Sequence, residues 1–178
     1  EAKEWAKILE CPYISDLNQI NNEHRMGELI RISEALQEKR IAQIADHIAS
    51  HRNNIRLILI AGPSSSGKTS FAQRLRIQLR VNGLHPIMIS LDDYFLNRED
   101  TPRNEKGQYD YESIDAIDTA LFNQNMLELL NGHKVQIPYY NFITGKREWR
   151  DDNFLLLKED QPIIIEGIHG LNERLTAD

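Results

Sequence analysis

The chain has 178 residues, 40% of them hydrophobic, with 21 basic against 27 acidic side chains and a net charge of −6. That length supports one real core plus an appendage, and the acidic balance argues against broad binding to nucleic acid or to an anionic membrane. No apolar run approaches the roughly 20 residues that span a bilayer, no signal-peptide pattern stands at the start, and Cys11 is the only cysteine, so the expectation is a cytoplasmic protein without an internal disulfide.

The chain opens at Glu1, without an initiator Met and in mid-sequence composition, which reads as either a processed protein or a piece excised from a longer one, the latter being favoured. Residues 13–25 are polar and weakly periodic, and are expected to be a connector or the end of an upstream region. Leu29, Ile32, Leu36, Ile41, Ile44 and Ile48 then recur at mostly three- and four-residue spacing, which predicts a packing helix with one apolar face. That face must be buried, either against the rest of the chain or as a partner or homo-oligomer surface. Residues 1–52 are accordingly expected to form a helical extension and residues 53–178 a second unit.

The second unit begins with Ile55–Ile60, a short run rich in branched residues that suits a central strand of a parallel sheet. Residues 62–69 follow as Gly-Pro-Ser-Ser-Ser-Gly-Lys-Thr, a complete G-x-x-x-x-G-K-[ST] phosphate-binding loop. Phe71, Leu75 and Leu79 give a helical apolar face after it, stopped by Asn82-Gly83. The strand-to-helix context makes the loop far more specific than a Gly/Ser-rich turn, because its N–H groups then converge on phosphate oxygens at a helix start. Gly62 and Gly67 permit close approach and unusual backbone angles, and the amides of Ser64, Ser65, Ser66, Thr69 and Ser70 surround the phosphates. Lys68 holds the β- and γ-phosphates, and the Thr69 hydroxyl is placed to ligand Mg²⁺.

Further strands are expected at Pro86–Leu91 and Ile163–Ile165, with a helix at about 116–131 stopped by Gly132. This alternation predicts an α/β fold of P-loop NTPase type, a three-layer parallel sheet flanked by helices with the N-terminal helical extension added. Ligands in such sheets sit beyond the carboxyl ends of the strands. Two ends present acids there, in Ser90-Leu91-Asp92-Asp93-Tyr94 and Glu166-Gly167-Ile168-His169-Gly170. Asp92 is the candidate base for an acceptor hydroxyl, and Glu166 the candidate acid of a metal site. The plainer alternative is that Asp92 and Asp93 cap the following turn and Glu166 simply leaves its strand. Lys146, Arg147 and Arg150 are read as a solvated basic cluster.

Four separated segments resemble the uridine kinase/phosphoribulokinase family of P-loop kinases: GPSSSGKTS at 62–70, SLDDYF at 90–95, VQIPYYNF at 135–142 and IIIEG at 163–167. The resemblance spans about residues 55–172 and implies ATP as donor with Mg²⁺, Asp92 as catalytic base beside Lys68, and Thr69 and Glu166 at the metal. It also implies a nucleoside-like small-molecule substrate, with Tyr111, Glu112, Tyr140 and Phe142 near its base and ribose; aromatic faces suit a planar pyrimidine and a carboxylate accepts from ribose hydroxyls. Where many nucleoside kinases of the family carry a His after the aromatic pair, this chain has Gly145. The family's later strands and arginine-bearing lid have no room in the residues after Gly170, so an incomplete kinase domain is expected. Residues 1–52 resemble the connector of longer bacterial uridine-kinase-like proteins whose upstream region is similar to the N-terminal part of threonyl-tRNA synthetase.

The implied activity is phosphoryl transfer to the 5′-hydroxyl of uridine or cytidine. The alternatives are a phosphoribulokinase-like sugar-phosphate kinase and a non-catalytic nucleotide-binding regulatory module. A GTPase switch is less attractive, because no Asn-Lys-x-Asp guanine-reading run occurs.

Overall fold

The structure is a computed structural model that describes residues 2–175. Three parallel strands form its centre: β1 (Leu57–Ala61), β2 (Ile87–Ser90) and β7 (Ile163–Gly167), in the spatial order β1-β7-β2. The strand latest in sequence is thus central, and Ile163, Ile164 and Ile165 are 0%, 0% and 1% exposed. A strand covered on both faces has no polar side, so a continuous branched run is what the position requires.

Alternate β7 side chains serve two cores. Ile164 joins Ile60 and the helices α3 (Met26–Ser50) and α4 (Lys68–Val81) through Ile41, Ala45, Ile48, Ala72, Leu75 and Leu79. Ile163 and Ile165 face the other way, onto α5 (Thr119–Leu130) through Phe122, Met126 and Leu129. The result is the three-layer arrangement expected, with helices on both faces of a parallel sheet.

Only the C-terminal half of α3 packs tightly. Ile41 and Ile48 are buried as expected, but the third member of that face is Ala45, while Ile44 and Ile32 are 41% and 44% exposed. An alanine at the contact lets α3 approach α4 closely, and burying a side chain such as Ile41 there contributes about 1.5–3 kcal/mol. Polar ties flank the seam: Gln78 Nε2 and Arg74 Nη1 donate to Glu38 at 2.6 and 3.1 Å, and Asn82 Nδ2 donates to Asp46 at 2.9 Å. Helices α1 (Ala2–Ile8) and α2 (Ile14–Asn22) precede it. The polar segment read as a connector is therefore helical over most of its length, started by the Tyr13 N–H donating to Asp16 Oδ2 at 2.9 Å, yet α2 buries no residue.

The helix expected at 116–131 begins later. Ser113 caps a 3₁₀ turn at Ile114–Ala116, and Asp118 then caps α5 by accepting from the Leu121 N–H at 3.0 Å. Two small antiparallel pairs complete the fold, β3 (Val135–Gln136) with β6 (Phe154–Leu155) and the hairpin β4 (Tyr139–Asn141) with β5 (Lys146–Glu148). The basic cluster here is not simply solvated. Arg147 Nη1 donates to the helix cap Asp118 at 2.8 Å, with its side chain 21% exposed, and the Arg150 guanidinium lies 3.3 Å from the Tyr139 ring centroid. Among the described residues no helix is long and apolar enough to cross a membrane.

Candidate nucleotide and acceptor site

The parallel register brings the strand ends to one level. Glu166 on β7 pairs with Ile60 on one side and with Ser90 on the other, so the phosphate loop, Glu166 and the turn carrying Asp92 leave the sheet together. Ser90, not either aspartate, caps that turn, accepting from the Asp92 N–H at 3.3 Å. Both aspartate side chains are consequently free of the capping work that the plainer alternative gave them.

The loop closes over itself before α4. Gly67 has φ +87° and forms the N-cap of α4, and Ser65 at φ +60° shares this left-handed region, where a side chain is strained. Gly62 is tight for a different reason, because a Cβ there would lie 2.8 Å from Ser66 Oγ and 3.3 Å from Lys68 Cγ, so those side chains would have to shift. Lys68 Nζ reaches back across the loop and donates to the Pro63 carbonyl at 2.9 Å.

Thr69, at the second position of α4, donates from Oγ1 to Glu166 Oε1 at 3.2 Å, and Ser90 Oγ donates to the same oxygen at 3.4 Å. Two hydroxyls and a carboxylate from three elements thus meet at one point, an all-oxygen set that suits a hard cation. Among the described residues no cluster of three or more His, Cys, Asp or Glu could hold a metal by itself. Thr69, Ser90 and Glu166 are oxygen donors of the kind Mg²⁺ takes together with phosphates and water.

Asp92 is half-buried close to this set. Burial pushes its carboxyl above the ordinary carboxylate range, the Glu166 charge pushes it further, and Lys68 opposes both. Asp93 plays a different part, since its Oδ1 accepts from the Tyr140 N–H at 3.3 Å and ties β4 to the turn. Burial raises the Asp93 carboxyl too, with the Tyr140 hydrogen bond acting against it.

A cleft of about 370 Å³ joins these groups to the aromatic segment. Ser64, Lys68 and Asp92 line it together with Tyr111, Glu112, Tyr140 and Phe142. Of the other loop residues, Ser66, Gly67 and Ser70 line a neighbouring groove beside α4 that Lys68 also borders, whereas Gly62, Ser65 and Thr69 line neither space. Phe95 is the hub of the aromatic wall, edge-on to Tyr111 at 5.3 Å, Tyr140 at 5.5 Å and Phe142 at 6.3 Å between ring centroids. Tyr140 is almost fully buried and its phenol is pushed up to about 12 by burial and by its hydrogen bond to Tyr111, 3.4 Å between hydroxyl oxygens. Burial also acts to raise Tyr111, but the hydrogen bonds from Tyr140 and Arg98 outweigh it and hold that phenol below its usual value.

Sequence reasoning did not single out Arg98, Tyr109 or Ile168, which also line the cleft. Arg98 and Tyr109 lie in a polar loop with no periodicity, where a lone side chain gives no signal.

The family model for the Phosphoribulokinase / Uridine kinase family matches residues 57–178. The chain is similar to the uridine kinase of Schizosaccharomyces pombe, with 46% identity over 66% of this chain and 25% of that protein. It is also similar to uridine-cytidine kinase 2-B of Danio rerio, with 31% identity over 63% of this chain and 44% of that protein. The chain thus spans less than half the length of these two curated relatives. The structure of a possible uridine kinase from Bacillus stearothermophilus has the same fold, with a TM-score of 0.57 at 23% identity over 75% of this chain and 74% of that one.

Proposed function

The chain belongs to the phosphoribulokinase/uridine kinase family, and from that premise we propose that its site transfers a phosphoryl group from ATP to the 5′-hydroxyl of uridine or cytidine. The observation that carries this reading is the shared cleft, in which the loop residue Lys68 and the carboxylate of Asp92 face the same space as Tyr111, Glu112, Tyr140 and Phe142. A switch or motor needs the loop but has no use for an aromatic acceptor wall beside it.

In this reading the backbone N–H groups of residues 64–70 cradle the donor phosphates and Lys68 sits on the β- and γ-phosphates. Thr69 and Glu166 would hold Mg²⁺, which would supply neutralisation of phosphate charge. Asp92 accepts the proton of the acceptor hydroxyl as that oxygen attacks the γ-phosphorus, and ADP leaves. A carboxylate raised by burial is better suited to this than an ordinary exposed one, because its basicity lies nearer to neutrality. Glu112 accepts from ribose hydroxyls, and the aromatic wall packs on the base. The kinase unit supplies these groups, and of the N-terminal extension it is the C-terminal half of α3 that packs on α4.

The test is a product assay of the full-length protein with ATP, Mg²⁺ and, separately, uridine, cytidine and ribulose 5-phosphate. Nucleoside monophosphate is the expected product. Exclusive turnover of ribulose 5-phosphate would replace this reading by a sugar-phosphate kinase, and turnover of none would favour the nucleotide-binding regulatory module.

A further inference from the structure

Among the described residues Arg98 is the one guanidinium that lines the cleft, and its placement is built rather than incidental. Its Nε donates to the Tyr111 hydroxyl at 3.4 Å and its Nη2 to the Phe142 carbonyl at 2.9 Å. Its own backbone N–H donates to the Gly145 carbonyl at 2.8 Å. Gly145 is what makes room: at φ +71°, a Cβ there would lie 2.6 Å from Arg98 Nε, 2.7 Å from Cζ and 2.9 Å from Cβ. Any other residue at 145 would displace the guanidinium from the cleft wall.

A guanidinium carries five N–H donors and no acceptor, so the group it faces must offer a lone pair. Two of those donors are spent on Tyr111 and Phe142, and these bonds hold the planar fork among aromatic rings with other donors unspent. The charge of the cleft decides between an anionic and a neutral partner. Glu112 lines the same space and repels an anion, Lys68 belongs to the phosphate loop, and the walls between them are Phe95, Tyr109, Tyr111, Tyr140 and Phe142. A flat, neutral, carbonyl-bearing ring meets all three conditions, whereas a sugar phosphate would set its phosphate between one arginine and a carboxylate.

We propose that Arg98 is the specificity-determining residue of the acceptor site, donating a hydrogen bond to a carbonyl oxygen of the acceptor's base in the space that Gly145 leaves open. This rests on the nucleoside-kinase reading and adds to it which side chain reads the base. It further assigns Gly145 a function, that of admitting Arg98.

The experiment compares kcat/KM of the full-length protein for uridine with that for two ribosides, each lacking one of the two ring carbonyls. The wild type is expected to prefer uridine over one of them by about 10- to 100-fold, the usual worth of a charge-assisted hydrogen bond. Arg98→Met should bring that preference to within about threefold by raising KM for uridine, with kcat and the KM for ATP little changed. Gly145→Ala should act in the same direction, because it displaces the guanidinium without removing it. It also provides a second measurement should Arg98→Met fold poorly. If Arg98→Met or Gly145→Ala lowers turnover of all three ribosides equally and keeps the preference, Arg98 is only a clamp on the hairpin and the proposal falls. A wild type that phosphorylates all three equally also overturns it, while leaving the nucleoside kinase standing. One that phosphorylates none and accepts a sugar phosphate overturns both.

Discussion

Gly167→Ala probes how the sheet positions Asp92, the proposed base. Gly167 follows Glu166 at the end of β7, and a Cβ there would lie 2.6 Å from Leu91 Cβ, 2.8 Å from Cδ1 and 3.0 Å from Cγ. Carbon atoms normally approach to about 3.5–4.0 Å, so the added methyl overlaps Leu91 by about 1 Å. Leu91 is fully buried, and one of its offending atoms is its own Cβ, so no rotamer change relieves the overlap. Overpacking of this kind costs about 1–3 kcal/mol, which at this size lowers Tm by about 2–12 °C. Relief requires the turn Leu91–Tyr94 to shift, and that turn carries Asp92. A displacement of 1 Å at a reacting group costs about 100-fold in rate, so kcat of the full-length protein should fall about 10- to 100-fold. Nucleotide affinity should stay within about twofold, since the phosphate loop hangs on β1. Thermal melts, nucleotide titration and steady-state kinetics measure the three quantities. Unchanged Tm and kcat would refute the tight approach of β7 to the turn, and loss of nucleotide binding in parallel with kcat would refute the local nature of the effect.

Asp92→Asn should lower kcat by about 100-fold or more while nucleotide binding persists, and residual turnover near the wild-type rate would remove Asp92 from the base role. The raised carboxyl of Asp92 also fixes the sign of two pH effects. Its stabilising contribution is present below the unfolded carboxylate value and lost as pH rises through the folded one, whereas turnover by the deprotonated base grows over the same rise. Opposed slopes of Tm and kcat that vanish in Asp92→Asn would bear this out, and parallel slopes would contradict it. Thr69→Ala should raise the Mg²⁺ concentration needed for half-maximal turnover, with Thr69→Ser restoring it; an unshifted metal titration would take Thr69 out of the metal site. Ile41→Ala should cost about 2–5 kcal/mol in denaturant melts and Ile44→Ala no more than about 0.5 kcal/mol; equal losses would mean that α3 packs through a different face.

The strand, loop and helix from residue 57 to residue 81 were legible because three local signals agree there: a branched run, a loop whose glycines have a steric reason, and an amphipathic helix with a stop. Asp92 and Glu166 were legible for a topological reason, since a parallel sheet puts ligands beyond its strand ends and the polar residue after each strand can be read off directly. The aromatic residues Tyr111, Tyr140 and Phe142 came from a resemblance, and only the packing around Phe95 shows them as one wall. Periodicity misjudged α3, because 3.6 residues per turn spreads six apolar positions over a wider arc than one neighbouring helix can cover, leaving Ile44 and Ile32 outside the contact.

The sequence by itself determined the parallel α/β class, the phosphate loop and the acids at the strand ends, all of which depend on residues adjacent in the chain. Tertiary structure alone decided that β7 lies between β1 and β2, and so brings Glu166 to the Thr69 and Ser90 hydroxyls. It also decided that Arg98 occupies the space beside Gly145, a contact across 47 positions that no local pattern encodes. Side-chain periodicity records which face of an element is buried; which element covers that face depends on long-range packing.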